Sequence, residues 1–168
     1  MSYRFTPIDE TEARTVLGWR YPGIGTLYDP DPDQLEDDVS VLLTPEYHYY
    51  VVRNGCGSLV GFCCFGDDAR VPGGEYSLPA VDIGLGLHPD LIGQGQSHDF
   101  LAAILEWGRQ CFQPEFFRAT VAAINTRSQG MFARAGFLII QRFKATGGEP
   151  IEFLVMLRAE REDEGVNG

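Results

Sequence analysis

The passage from Ala80 to Phe112 constrains this chain more than any other. Ala80 to Leu87 is an apolar run with Asp82 as its one charged residue, the pattern of a buried strand. Ser97 to Phe112 repeats Phe100, Leu101, Ile104, Leu105 and Gly108 at three- and four-residue spacing, which predicts a helix with one apolar face. Between the two lies a short loop ending in Gly93-x-Gly95-x-Ser97. Glycines there let the backbone turn tightly and approach a ligand. The first N–H groups of a helix lack internal partners and carry partial positive charge. Together they make an anion cradle that suits a diphosphate, although such a turn also serves purely structural ends. There is no Gly-Lys-Ser/Thr for a Walker loop, and His98 stands where a dinucleotide fingerprint needs its third glycine.

Other elements fall around this passage. Tyr3 to Ile8 alternates and reads as an edge strand, given Pro7. Asp9, with Glu12 at the capping-box position, starts a helix whose apolar side is Ala13, Val16 and Leu17. Arg20 to Asp33 is broken by prolines and glycines and forms a loop. Asp33 to Leu43 suits a second helix, ended by Pro45. His48 to Arg53 and Leu59 to Phe65 form a hairpin turning at Asn54-Gly55. Phe117 to Ile124, Phe137 to Phe143 and Ile151 to Leu157 are strands, and Asn125 caps a short helix that stops at Gly136. The order β-α-α-β-β-β-α-β-α-β-β, without repeat or linker, predicts one α/β domain over residues 1–168 with a mixed sheet, its core at 3–157 and a charged tail at 158–168.

Charge narrows the function classes. The chain of 168 residues has 13 Lys and Arg against 24 Asp and Glu, a net charge of −11. Nucleic acid and anionic membrane surfaces are therefore poor partners. No apolar run is long enough to span a membrane, and Met1 to Thr11 lacks a signal pattern, so a soluble cytoplasmic protein is expected. Cys63 and Cys64 are adjacent in a strand and point to opposite faces, and Cys56 and Cys111 complete no zinc spacing. Four reduced, mostly buried thiols and no metal are expected. Residues 93–144 run against the acidic trend, with Arg109, Arg118, Arg127, Arg134, Arg142 and Lys144 opposed only by Asp99, Glu106 and Glu115. That surplus suits a compact anionic ligand, or is scatter.

Two motifs give these readings a common frame. Ile92-Gly93-Gln94-Gly95-Gln96-Ser97 resembles the Arg/Gln-x-x-Gly-x-Gly/Ala cofactor motif of the GCN5-related N-acetyltransferase (GNAT) superfamily, departing at Ile92. The preceding Leu87-His88-Pro89-Asp90 is also typical of it. Asn125 to Phe137 resembles the family's Asn-x-x-Ala-x-x-Leu-Tyr-x-Lys-x-Gly-Phe, with Asn125, Gly136 and Phe137 matching, Arg134 keeping the charge and Phe132 losing the tyrosine hydroxyl. The resemblance spans roughly residues 3–157 and implies a mixed, mostly antiparallel sheet with a splayed strand pair and helices on both faces.

It further implies acetyl transfer from acetyl-CoA to a primary amine of a small molecule or a peptide. The pantetheine arm is then expected along Leu85 and Leu87, with Leu87 N–H as the oxyanion donor. The diphosphate would rest on the N–H groups of Gly93, Gln94, Gly95, Gln96 and Ser97. Asn125 and Phe132 would flank the thioester end, and Arg134 would reach the nucleotide phosphate, unless it is simply an exposed helix charge. Asn125 also reads as a helix cap. Asp82 is the first candidate base, its pKa raised by desolvation, or else a carboxylate paired with an arginine; Glu75 is the second. Some members carry a base five residues before the motif asparagine, where this chain has Thr120, which cannot serve as one. Trp19, Tyr21 and Tyr28 would wall the acceptor side, with Asp29, Asp31 and Asp33 drawing in a cation, or would pack the first helix. A homodimer is compatible with the family. The alternative function is an acyl-CoA binding or sensing module weakened in catalysis by Phe132 and Thr120.

Overall fold

Asp9 begins the first helix as its capping box requires. Its carboxylate accepts from Glu12 N–H at 2.8 Å, and the Glu12 carboxylate accepts from Asp9 N–H at 3.1 Å. The computed structural model describes residues 2–23, 29–147 and 150–160. In chain order the elements are β1 (Arg4–Pro7), α1 (Glu10–Leu17), α2 (Leu35–Leu42), β2 (Tyr50–Arg53), β3 (Leu59–Phe65), β4 (Val81–Leu87), α3 (Ser97–Phe112), β5 (Phe116–Ala122), α4 (Thr126–Arg134), β6 (Leu138–Lys144) and β7 (Glu152–Ala159). Short 3-10 turns at Pro32–Gln34, Pro45–Tyr47, Asp67–Ala69 and Pro89–Leu91 join some of them.

The strands form one sheet in the order β1-β2-β3-β4-β5-β7-β6. Every neighbouring pair is antiparallel except β4 and β5, which run parallel. Helices cover both faces. One core gathers Phe100, Leu101, Ile104 and Leu105 of α3 and Met131 and Phe132 of α4 against Phe117, Ala119 and Val121. The other gathers Ala13, Val16, Val39 and Leu42 of α1 and α2 against Val51 and Ile8. Gly108 lets α3 approach the sheet closely, since a Cβ there would lie 2.8 Å from the rings of Phe117 and Phe65. Gly61 makes similar room for Phe100.

The elements depart from the sequence reading in small ways. Asn54-Gly55 is not a two-residue turn. The Asn54 side chain instead accepts from the N–H groups of Cys56 and Ser58, and Gly57 takes the positive φ of 82°. Cys63 and Cys64 are buried, but Cys56 and Cys111 are exposed, so two of the four thiols face solvent. Burial pushes the Cys64 thiol up to about 12 and the Cys63 thiol well above its ordinary value. No helix among the described residues is long and apolar enough to cross a membrane. Leu138, Ile139 and Ile140 on the edge strand β6 are exposed.

Candidate functional site

The parallel seam between β4 and β5 is short. Val81 pairs with Phe117, Asp82 with Arg118 and Ile83 with Ala119, and there the pairing ends. β4 continues to Leu87 along β3, and β5 continues to Ala122 along β7. The two strands therefore part into a wedge whose apex lies just past Ile83 and Ala119. Gly66 N–H donates to Asp82 C=O, and His88 N–H donates to Val60 C=O, so even-numbered residues of β4 bond toward β3. By alternation, Leu85 and Leu87 turn their peptide groups into the wedge. They are the positions the resemblance implied.

Past β4 the chain reaches the glycine turn, where Gly93 and Gly95 both adopt φ of 77°. Among the described residues, the N–H groups of Gly93, Gly95, Gln96 and Ser97 have no hydrogen-bond partner. Gln94 N–H differs: it donates to Leu91 C=O at 3.2 Å, so its amide is already spent. Arg127, on the first turn of α4, brings its guanidinium over this turn. A Cβ on Gly93 would lie 3.2 Å from an Arg127 Nη. Arg127 has no ion-pair partner among the described residues, which leaves a cation facing unspent amides. The motif itself points to Arg134, and nothing in the sequence singles out Arg127 among the basic residues of 93–144. Arg134 folds back along α4 instead, an Nη 3.3 Å from where a Gly130 Cβ would be.

Of the two readings of Asp82, base or arginine-paired carboxylate, the structure has the second. It is 1 % exposed, and both its oxygens are taken. Arg118 donates to them at 2.7 and 2.8 Å, and Arg70 donates at 2.9 Å. Arg118 itself is fully buried and sits opposite Asp82 in the seam. A carboxylate in this bracket holds β4 to β5; a base needs a lone pair aimed at a substrate. Glu75 is exposed and accepts from Ser77 N–H, and the Ser77 hydroxyl, then that N–H, hold its carboxyl below the usual range.

Phe132 also differs from expectation. It is 4 % exposed and packs edge-on against Phe137, with ring centroids 5.1 Å apart, so its ring belongs to the core. Asn125 caps α4, accepting from Ser128 N–H at 3.1 Å. Trp19 is 8 % exposed and lies against Phe62 and, edge-on, His88; it packs the core of α1 and α2 instead of walling an open site. Tyr21 does reach the wedge. Its hydroxyl donates to Leu87 C=O at 2.9 Å, and burial, then the Asp29 charge, push its pKa up to about 12. Tyr28 lies outside the described residues. Asp38 is raised by burial and by Asp37, Asp31 and Asp68, which gathers several carboxylates around α2.

On the α1 and α2 face, residues 70–80 fold across the wedge's apex. Tyr76 hydroxyl meets Thr120 Oγ1 at 2.8 Å and accepts from Val71 N–H at 3.0 Å. The guanidinium carbons of Arg118 and Arg70 lie 4.9 and 5.4 Å from the centre of its ring. Neither hydroxyl partner was visible as a pair in the sequence, since 44 residues separate them. Among the described residues, no group of three or more His, Cys, Asp or Glu is arranged to hold a metal ion.

With this geometry in hand, the comparisons agree on one family. The model of the acetyltransferase (GNAT) domain matches residues 6–138. Among solved structures, a chimera of the Vibrio cholerae spermidine N-acetyltransferase SpeG and hSSAT superposes with a TM-score of 0.73 at 12 % identity, covering 95 % of this chain and 96 % of the other. A GNAT-family acetyltransferase from Bacillus anthracis gives 0.72 at 17 % identity, covering 96 % and 97 %. The Vibrio cholerae spermidine N-acetyltransferase in complex with CoA and spermine gives 0.68 at 12 % identity, covering 94 % and 95 %. No curated protein sequence matches the chain.

Proposed function

The chain belongs to the GNAT acetyltransferase family, and from that premise we propose that it transfers the acetyl group of acetyl-CoA to a primary amine of a small molecule or a peptide. The observation that carries this reading is the β4–β5 wedge, open beside Leu85 and Leu87 and ending at the unspent amides of Gly93, Gly95, Gln96 and Ser97 under Arg127. That donor set fits the cosubstrate: amides at a helix start and one guanidinium for a diphosphate, and an unpaired strand edge for an extended arm carrying amides of its own. When bound, acetyl-CoA supplies a carbonyl carbon activated as a thioester.

In this reading the amides of Gly93, Gly95, Gln96 and Ser97, the Ser97 hydroxyl and the Arg127 guanidinium hold the diphosphate. Gln94 is left out through its bond to Leu91. Arg134 is the further cation for the nucleotide phosphate. Leu85 and Leu87 offer their N–H groups to the arm and its carbonyl. The cradle lies beyond the C-terminal end of β4, so the reacting end of the arm reaches deeper, toward Leu85 and the apex. Leu87 N–H then bonds the arm and Leu85 N–H is the oxyanion donor, the two standing about 6.6 Å apart along the strand and too far to share one oxygen. Asn125 lies three residues beyond β5 and borders the wide end of the wedge.

The acceptor approaches from the α1 and α2 face, where Tyr21 borders the wedge and Asp29, Asp31, Asp33, Asp37, Asp38 and Asp68 set a negative field. A polycationic amine suits that field, which makes spermidine and spermine the first acceptors to assay. Two measurements test the reading. Calorimetry should detect acetyl-CoA binding, and a thiol-release assay should detect coenzyme release over a panel of spermidine, spermine and a lysine-containing peptide. Absence of binding refutes the reading. Binding without release on any amine replaces it with an acyl-CoA sensing module.

A further inference from the structure

Ala123 N–H donates to Glu152 C=O, so odd-numbered residues of β5 bond toward β7. By alternation, the peptide groups of Thr120 and Ala122 turn toward β4. Continued past Ile83 and Ala119, the parallel ladder would run Leu85 N–H to Thr120 C=O, Ala122 N–H to Leu85 C=O and Leu87 N–H to Ala122 C=O. Leu87 is the last residue of β4 and Ala122 the last of β5, so that third rung would shut the wide end of the wedge.

The acceptor of the third rung is already filled from within the chain. A carbonyl oxygen has two lone pairs. On Ala122 one takes Asn125 N–H at 2.9 Å, and the other takes the Gln129 side-chain amide at 3.3 Å. The same Gln129 Nε2 donates to Ala123 C=O at 2.6 Å, so one side chain grips both carbonyls at the end of β5. Gln129 stands in the first turns of α4, where its own N–H donates to Asn125 C=O at 3.1 Å and fixes its place on the helix. The start of α4 does not need this grip, because the Asn125 side chain caps it through Ser128 N–H.

We propose that Gln129 is a positioning residue that props the wedge open, filling the Ala122 carbonyl so that Leu87 N–H stays free for the cosubstrate arm. The arm's part in this rests on the acetyl-transfer reading above; the propping does not. Without the Gln129 amide, one lone pair of Ala122 is bare, and Leu87 N–H turns into the wedge opposite it. The two meet as the missing rung, and an arm that needs Leu87 must first break it. Affinity then falls in proportion to the open fraction of the protein. The Leu87 amide exchanges with deuterium only from the open form, so its slowing reports the same fraction.

The test follows amide exchange at Leu87 by NMR on the full, isotope-labelled chain without ligand, and acetyl-CoA affinity by calorimetry. In wild type, Leu87 should exchange at nearly the rate of an unpaired amide. Gln129→Met keeps the length of the side chain and removes its donors; Gln129→Glu keeps its shape and removes them too. Both should slow Leu87 exchange by about tenfold, the worth of one net hydrogen bond. The Kd for acetyl-CoA should rise by that same factor. Gln129→Lys, which donates again, should leave both near wild type. A merely structural Gln129 predicts the opposite sign, since its loss would loosen α4 and its surroundings. Unchanged or faster exchange at Leu87 in the Met and Glu variants therefore overturns the inference. So does slower exchange with unchanged acetyl-CoA affinity. A wild type that binds no acetyl-CoA removes the transfer reading instead, and the ligand-free exchange still decides whether Gln129 props the wedge.

Discussion

Replacing Asp82 with asparagine separates a structural carboxylate from a catalytic one. The carboxylate accepts three charge-assisted hydrogen bonds, two from Arg118 and one from Arg70, at 2.7 to 2.9 Å. An amide keeps one acceptor oxygen and turns an NH2 group toward guanidinium donors. Arg118 is fully buried, so its charge has no water to fall back on. Breaking a buried pair in this way costs about 3–5 kcal/mol. For a domain of this size each kcal/mol moves Tm by about 2–4 °C, so Asp82→Asn should melt roughly 10 °C lower. Circular dichroism melts measure this directly. Adding Arg118→Met removes the orphaned cation and should recover much of the loss. A Tm within about 2 °C of wild type, together with abolished turnover, would refute the reasoning and return Asp82 to the role of base.

Arg127→Ala should weaken acetyl-CoA binding by about tenfold, the worth of one charge-assisted contact at an exposed site, and flatten its salt dependence in calorimetry. Gly108→Ala should destabilise by about 1–3 kcal/mol despite the better helix propensity of alanine, because the added methyl meets Phe117 and Phe65 at 2.8 Å; urea unfolding reads it. An aromatic disulfide reagent should titrate two thiols quickly, Cys56 and Cys111, and two only on unfolding. The Cys64 thiol is raised in the folded chain from 9.0 to about 12. The folded state thus holds a proton that the unfolded state releases, so the stability it contributes is intact below pH 9 and falls as pH rises toward 12. Cys64→Ala should lessen that alkaline loss.

Local chemistry was the legible part of this fold. The capping box at Asp9 and Glu12, the Asn125 cap and the α3 repeat from Ser97 to Phe112 each act within a few residues, and each appears where its residues predict. The glycine turn was legible for the same reason. What escaped depends on distance in sequence. Asp82 meets Arg118 across 36 residues, and one charge in an apolar strand looks the same whether it awaits a substrate or an arginine. Tyr76 sits in a polar loop whose path over β5 is set by tertiary bonds to Gln141 and Thr146. Arg127 and Arg134 differ by two helical turns of position, and only the folded chain tells which one turns to Gly93. Trp19 in a loop full of aromatics fills a core as readily as it lines a pocket.

The strap of residues 70–80 leaves the β1–β4 half of the sheet and is tied to β6 and the segment after it in the other half. It crosses one face, while the glycine turn and Arg127 stand beyond the far end of β4. In the proposed function, recognition of the two reactants falls to separate stretches of chain that share little besides the strands between them. Insertions or exchanges within the strap would retune which amines are admitted while sparing the coenzyme's seat, so donor and acceptor preferences can drift independently among descendants of one scaffold.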